Sequence, residues 1–421
     1  MIFSIYDQFN IPVVATTLIG LSIMLFVGFL LTRITKKLKL PNVTAYIFTG
    51  IILGPLFRAI FKEDIIHPDV VKGMDFLTDV ALAFIAFGVG RFFKLEVLRK
   101  SGKSIFIITL MESLMASVLV FLAMHYLFHI RFELSLLLAA IASATAPAST
   151  MMTIRQTRAK GDFVNTILQV VSLDDAVSLI LFSISIAVIT AVDSTGGFNA
   201  WIIIKPILLN FAIIGIGMLS GFILHKLITQ SRSTDNRLII VISILFLFSG
   251  VAAIFDISPL LGCMAMGMVY VNVSKDESLF RQVDYFSPPI LTLFFVLSGM
   301  RLDFGMLISI GLAGVVYFVV RIIGKYGGAS LGSVMAKSTP NNIKYLGLAL
   351  IPQAGVSLGL AALGSRILSS YGLFDDAAIL TTIIIASGVL YEIFGPPSAK
   401  LSLYLTNSYE KIEKNPIKSG A

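Results

Sequence analysis

Along this chain the apolar residues fall in long, nearly unbroken blocks. They neither alternate nor form one-sided stripes. The blocks run over Pro12–Leu31, Val43–Ile60, Met74–Phe93, Ser104–Leu127, Glu133–Met152, Phe163–Ala191, Trp201–Ile228, Leu238–Phe255, Pro259–Val271, Pro288–Met300, Phe304–Met335, Tyr345–Leu363 and Asp376–Leu401. At ~1.5 Å per helical residue, about 20 residues cross a hydrocarbon core of ~30 Å, and only helices or closed barrels satisfy their backbones there. The pattern predicts an all-α polytopic membrane protein of about 13 transmembrane helices. Residues 1–403 form the membrane part and 404–421 a short polar tail.

Two blocks are broken near their middles. Ser143-Ala-Thr-Ala-Pro147 interrupts the fifth and Ile351-Pro-Gln-Ala-Gly355 the twelfth. Proline removes a backbone donor, and freed backbone groups survive at membrane depth only where protein or a cavity receives them. The halves also match each other. Leu40–Gly50 resembles Ser258–Gly267, Ala83–Leu95 resembles Thr292–Phe304, and Leu137–Ser149 resembles Leu346–Ser357. Each match pairs a block with the one seven later, which reverses its direction. Inverted-topology repeats with two interrupted helices are therefore expected: a first repeat over about 11–191, a linker helix over about 201–228 and a second repeat over about 238–403.

Composition supports this. The chain is 57% hydrophobic and 13% charged, against roughly a quarter charged for a soluble domain. The net charge of +8 would suggest nucleic acid in a soluble protein. Here the basic residues cluster between blocks, at Arg33–Lys39, Lys94–Lys103, Arg155–Lys160, Arg232–Arg237, Lys275–Arg281, Lys337–Lys344 and Lys411–Lys418. If every block crosses, all of these clusters fall on one side, which predicts an N-terminus outside, a cytoplasmic C-terminus and no nucleic-acid partner. No cleavable signal peptide is expected. The single cysteine, Cys263, lies in an apolar block and reads as a packing residue.

The chemistry concentrates in the sixth block, where Asp174 and Asp175 sit about 11 residues from one end, near the midplane. An intramembrane carboxylate is costly and marks function. Ser143, Thr145, Pro147, Pro352, Gln353 and Arg321 share that depth. Adjacent helical residues point about 100° apart, so one aspartate is expected to pair with Arg321. The other is free to hold a monovalent cation with Thr145, Ser143 and freed carbonyls. Oxygen ligands suit a hard cation, and a carboxylate that holds either a cation or a proton is the minimum equipment for exchange. Glu112 is read as a structural polar contact, Lys325 as snorkelling towards the surface, and His125 and His129 as interfacial. Asp375 and Asp376 read as a helix N-terminal cap. Gly215, Gly217 and Gly221, with Gly324, Gly328 and Gly332, read as faces for close helix packing.

These residues resemble the monovalent cation–proton antiporters, in the branch that includes bacterial sodium–proton exchangers and the membrane part of potassium-efflux antiporters. The resemblance runs through Leu40-Pro41, Gly50–Pro55, Phe87–Gly90, Ser143–Ala146, Asp174-Asp175, Phe294–Met300, Arg321–Gly324, Pro352–Gly355 and Glu392–Pro396. It implies the sodium–proton antiporter fold, with a core domain of two crossing, interrupted helices moving like an elevator against a dimerisation domain, and hence a homodimer. Asp175 matches the ion- and proton-binding aspartate, contacting the transported Na⁺ or K⁺ with Thr145. Asp174 matches the neighbour that pairs with a basic residue of the second half. Arg321 falls where many double-aspartate relatives carry lysine. Arginine stays charged, which favours one-for-one exchange. No cofactor and no regulatory nucleotide-binding domain are expected.

The function expected is secondary active exchange of Na⁺ or K⁺ for H⁺ across the plasma membrane by alternating access, in pH and cation homeostasis, and not an enzyme activity. The alternative is a sodium-coupled organic-anion symporter on a similar fold, which has no special need for adjacent aspartates. An intramembrane aspartyl protease would draw its two carboxylates from different helices. A channel would not need broken inverted repeats.

Overall fold

A computed structural model describes residues 12–37, 42–66, 68–146, 150, 153–154, 157–193, 200–229, 232–254, 259–302, 304–353 and 355–409. The described residues form helices and no strand. In chain order the helices are α1 (Val13–Lys37), α2 (Asn42–Phe61, with a π-helical turn at Ile52–Leu56), α3 (Pro68–Gly73), α4 (Phe76–Gly90), α5 (Leu95–Leu122) and α6 (Phe132–Ala142). They continue with α7 (Asp162–Asp193), α8 (Ala200–Leu227), α9 (Thr234–Ile254), α10 (Leu260–Ser274), α11 (Ser278–Phe286), α12 (Pro288–Met300), α13 (Phe304–Met335), α14 (Pro340–Ala349), α15 (Val356–Ser370) and α16 (Phe374–Leu405).

Each expected apolar block overlaps one of these helices, except Tyr345–Leu363, which spans the end of α14 and the start of α15. Among the described residues, seven helices are long and apolar enough to cross a membrane alone. The pair α11–α12, bent by 51°, makes an eighth. The helices α6, α10, α15 and the stretch 211–227 are apolar but shorter. The count of thirteen crossings is therefore larger than length and composition of the individual helices require. The π turn in α2 carries Pro55, and widening the helix by one residue accommodates the missing donor.

The helices pack in two sets. In one, α5 lies along α13, α6 and α7, while α16 lies against α13, α14 and α15. In the other, α10 lies along α8 and α4, and α2 along α12 and α1. Links between the sets are sparser and include α7 on α8 and α15 on α4. One of these links is the bidentate pair of Arg366 with Asp79, at 2.7 and 3.1 Å.

Two helix crossings in the second set are drawn tight by glycine. A Cβ on Gly50 would meet the carbonyl of Val296 and the Cα of Gly299, and one on Gly299 would meet the carbonyl of Ile47 and the Cα of Gly50. Likewise a Cβ on Gly90 would meet the carbonyl of Met264 and the Cα of Gly267, and one on Gly267 the carbonyl of Phe87 and the Cα of Gly90. The sequence match between the halves equates Gly50 with Gly267 and Gly90 with Gly299. The α2–α12 and α4–α10 crossings are thus one contact with the halves exchanged. In every case the opposing carbonyl lies three residues before the opposing glycine. Small residues let backbones approach where lipid gives no hydrophobic drive to association.

The glycines of α8 divide. Gly217 and Gly221 seat against α10 at Gly262, Met266 and Val269, whereas Gly215 faces open space and takes no part in the packing.

Gly50→Val should therefore lower the thermal midpoint in detergent by an amount corresponding to about 1–3 kcal/mol, the usual cost of overpacking. Gly215→Ala should leave it unchanged or raised, since alanine is the better helix former. Equal midpoints for both variants would contradict the crossing geometry.

Candidate functional site

The site is built where two chain breaks meet. Helix α6 stops at Ala142, where the Ser143 and Ala144 amides close a last tight turn on Ala140 and Ile141 before the chain leaves the helix through Thr145 and Ala146. Pro147, expected to cause the break, lies outside the described residues. Helix α14 stops at Ala349, Leu350 closes a turn on Gly347, and Ile351–Gln353 are non-helical; Gly355, which precedes α15, has a φ of +52° that side-chain-bearing residues rarely adopt. Each break strands the last carbonyls of a helix. With no water available, those carbonyls need protein donors.

Four successive carbonyls at each break, Ile141–Ala144 and Ala349–Pro352, have one. In the first stretch, the Ile141 oxygen accepts from Gln353 Nε2 (2.8 Å), Ala142 from Arg321 Nε (2.8 Å), Ser143 from Lys325 Nζ and Ala144 from Arg321 Nη2 (2.5 Å). In the second, Ala349 accepts from the Thr150 hydroxyl (3.1 Å), Leu350 from the Thr145 hydroxyl (3.4 Å), Ile351 from Arg321 Nη1 (2.8 Å) and Pro352 from the Ala146 amide (2.9 Å). The breaks cross, and donors from each serve the other. These eight carbonyls, among those expected to ligate a cation, thus each already accept a protein hydrogen bond. The Ser143 hydroxyl donates to its own helix, at Ala140 (2.6 Å).

Arg321 does not do what its depth predicted. It is fully buried and donates to three carbonyls, two from the first break and one from the second. Its guanidinium also lies 4.5 Å from the centre of the Tyr391 ring, whose hydroxyl donates to the Phe318 carbonyl (3.1 Å). A planar fork of five donors suits several fixed acceptors, and a cation is favoured at helix C-terminal carbonyls. The expected Asp174–Arg321 pair is not formed.

Asp174 pairs instead with Lys325. Lys325 Nζ lies 2.7 Å from Asp174 Oδ2 and 2.6 Å from Glu112 Oε2, and all three side chains are fully buried. The Ser113 hydroxyl donates to Asp174 Oδ1 (2.6 Å) and lies 3.3 Å from Glu112 Oε1. Lys325 therefore does not snorkel. It sits in the stripe Arg321, Gly324, Lys325, Gly328, Gly332, the face α13 turns to α5, and there Gly324 and Gly328 ride on the backbone of Ala116 and Glu112. That spacing was the overlooked signal. A lysine inside a small-residue packing face cannot reach the surface. Glu112, read as an ordinary polar contact, is half of a buried carboxylate pair. Ser113 and Tyr391 carried no sequence signal that set them apart.

Asp175 contrasts with its neighbour. It is 1% exposed, and neither carboxylate oxygen has a hydrogen-bond partner. Helical geometry aims it away from the Lys325 cluster, as the 100° step requires. Thr145 is buried at the break crossing, as is Gln353, whose amide oxygen is also unpartnered.

If Lys325 is the partner of Asp174, thermal midpoints of Asp174→Asn and Lys325→Met should be strongly non-additive in the double variant, in the ~0.5–3 kcal/mol range of residues within one network. Asp174→Asn with Arg321→Met should come closer to additivity. Stronger coupling with Arg321 would restore the pairing expected from depth.

Comparison with known proteins places this geometry. Residues 21–395 match the family described as sodium/hydrogen exchanger, transmembrane. Over 388 residues the chain is 23% identical to the ammonium/H⁺ antiporter subunit AmhT of Alkalihalophilus pseudofirmus, covering 91% of this chain and 94% of that one. Over 235 residues it is 26% identical to the high-affinity Na⁺/H⁺ antiporter NhaS3 of Synechocystis, covering 52% and 48% respectively. The fold is similar to that of the sodium proton antiporter MjNhaP1 of Methanocaldococcus jannaschii, with a TM-score of 0.76 at 18% identity over 93% of this chain and 98% of that one. Nothing in these similarities supports an organic-anion symporter, and the family is one of transporters rather than enzymes. The chain belongs to the sodium/hydrogen exchanger family and is a multi-pass membrane antiporter of cations and protons.

Proposed function

We propose that Asp175 is the residue that binds proton and cation in turn, and that the exchange is of Na⁺ or K⁺ for H⁺. One observation carries this reading: among the buried charged groups, Asp175 has two oxygens without a hydrogen-bond partner. An isolated buried carboxylate is costly, and the cost is relieved by a proton or by a small cation. Either occupant satisfies it, and both together would be one charge too many. Thr145, one step from the crossing carbonyls, is the added ligand this reading assigns, with Ser143 beside it.

The remaining roles follow from the packing. Asp174, tied to Lys325, holds the position of the pair, and Arg321 with Pro352 and Gln353 fixes the crossing. The glycine crossings exchanged between the halves support a first repeat over about 11–191 and a second over about 238–403, joined by the helix over about 201–228. On this reading the set holding α5, α6, α7 and α13–α16 carries the ion, while the set holding α1, α2, α4, α8, α9, α10 and α12 stays in place and forms a homodimer. The lopsided basic loops support a plasma-membrane orientation with the N-terminus outside and the C-terminus in the cytoplasm. The names of the relatives add ammonium to the cations worth testing.

Asp175→Asn should abolish cation-driven proton movement in proteoliposomes carrying an internal pH dye, assayed with Na⁺, K⁺ and NH₄⁺. Its thermal midpoint should be kept or raised, because an unpaired charge is removed. Exchange at the wild-type rate in Asp175→Asn would end the assignment.

A further inference from the structure

Five charged side chains are buried among the described residues: Glu112, Asp174, Asp175, Arg321 and Lys325. Two are cations and three are carboxylates. Arg321 is spent on carbonyls, so its charge answers no single carboxylate. Lys325 answers two, at 2.6 and 2.7 Å. An ammonium needs only one carboxylate to form a buried pair, and a second one must be desolvated at a further cost of several kcal/mol. The backbone holds Glu112 in place all the same, since α13 rides on it at Gly328.

We propose that Glu112 is the charge-balancing residue of the exchange and fixes it at one proton for one monovalent cation. The proposal rests on Asp175 being the exchanging residue. With Glu112 ionised, the five side chains carry two positive and two negative charges when Asp175 holds a proton. With Asp175 ionised and a monovalent cation bound there, three positive charges stand against three negative ones. Both loaded forms are neutral. The empty form carries one unbalanced negative charge, which is costly in a low-dielectric interior. Neutral forms cross and the charged one is held back, which makes exchange obligatory.

Glu112 also steadies Lys325. When a bound cation competes for Asp174, the ammonium keeps Glu112 as its counter-ion at 2.6 Å. Without the Glu112 charge the balance inverts. Both loaded forms would carry a net positive charge and the empty form none. The cycle would then slip through the empty form.

The test is the coupling ratio of the purified protein in liposomes, with a Na⁺ or K⁺ gradient opposed by a pH gradient. Thiocyanate, a permeant anion, is kept equal on both sides to hold the potential at zero. Wild type should show no net flux where the proton gradient equals the cation gradient. A null at the square root of the cation gradient means two protons per cation and overturns the proposal. Glu112→Gln should move the null away from equality, and Glu112→Asp should return it, whatever the rates. An active Glu112→Gln with its null still at equality also overturns it. If Glu112→Gln does not fold, the wild-type null decides alone. Absence of any cation-driven proton movement in wild type overturns the exchange reading and this proposal with it, whereas exchange at the wrong ratio overturns only this one.

Discussion

The constraint on which the rest depends is that two helices stop in the middle of a membrane. Each stop leaves carbonyls that no water can reach, and an unsatisfied buried polar group costs about 1–3 kcal/mol. The chain meets this by crossing the stops, so that Ala146 serves Pro352 and Gln353 serves Ile141, while Arg321 serves both sides at once. Remove the crossing and every one of those carbonyls becomes a liability. The crossing therefore holds together as a unit, and the neighbouring helices α5, α7, α13 and α16 are placed by having to reach it.

The two buried cations divide the work according to their chemistry. Arginine presents a rigid planar fork and keeps its charge, so it suits fixed acceptors that never change. Lysine presents a compact charge with rotatable donors, so it suits carboxylates whose occupancy changes as ions arrive and leave. One turn of α13 separates them, and exchanging their places would give the fixed crossing the adaptable cation. The expectation of one-for-one exchange had rested on Arg321 facing Asp174. With Lys325 there instead, that reason lapses, and the charge count including Glu112 supplies a different one.

Much of the fold was legible because apolar blocks of membrane length are hard to mistake, and because Pro352 and the Ser143–Ala146 stretch announce breaks that lipid does not forgive. The depth of Asp174 and Asp175 marked the layer of the site for the same reason. Depth could not settle which groups within the layer touch. Arg321 and Asp174 share a level, yet contact is decided by rotation about the helix axes, and that is set by Gly324 and Gly328 seating α13 on α5. Lys325 was misread by its place along the helix, one turn nearer the end, when its place around the helix was the informative coordinate. The role of Glu112 was illegible until its partner was known, since a single glutamate in an apolar run says only that it needs one.

A rigid crossing and a mobile ion are compatible only if the cost of moving charge is met inside the moving part. The helices that hold Arg321, Lys325, Glu112, Asp174 and Asp175 are α5, α7 and α13, and these pack on one another and on both breaks. The charges and the crossing therefore form one connected unit. Contacts with the other set are fewer and include the exposed Arg366–Asp79 pair, which water can replace cheaply because exposed ion pairs contribute little, about 0–1 kcal/mol. Strong, dry contacts lie within the set and a weak, wetted one at its edge. If the first set carries the ion as proposed, that distribution lets the sets slide past one another without pulling the ion site apart. Under the proposal that Asp175 exchanges proton for cation, control of movement lies in the net charge of the buried layer, which either occupant brings to zero.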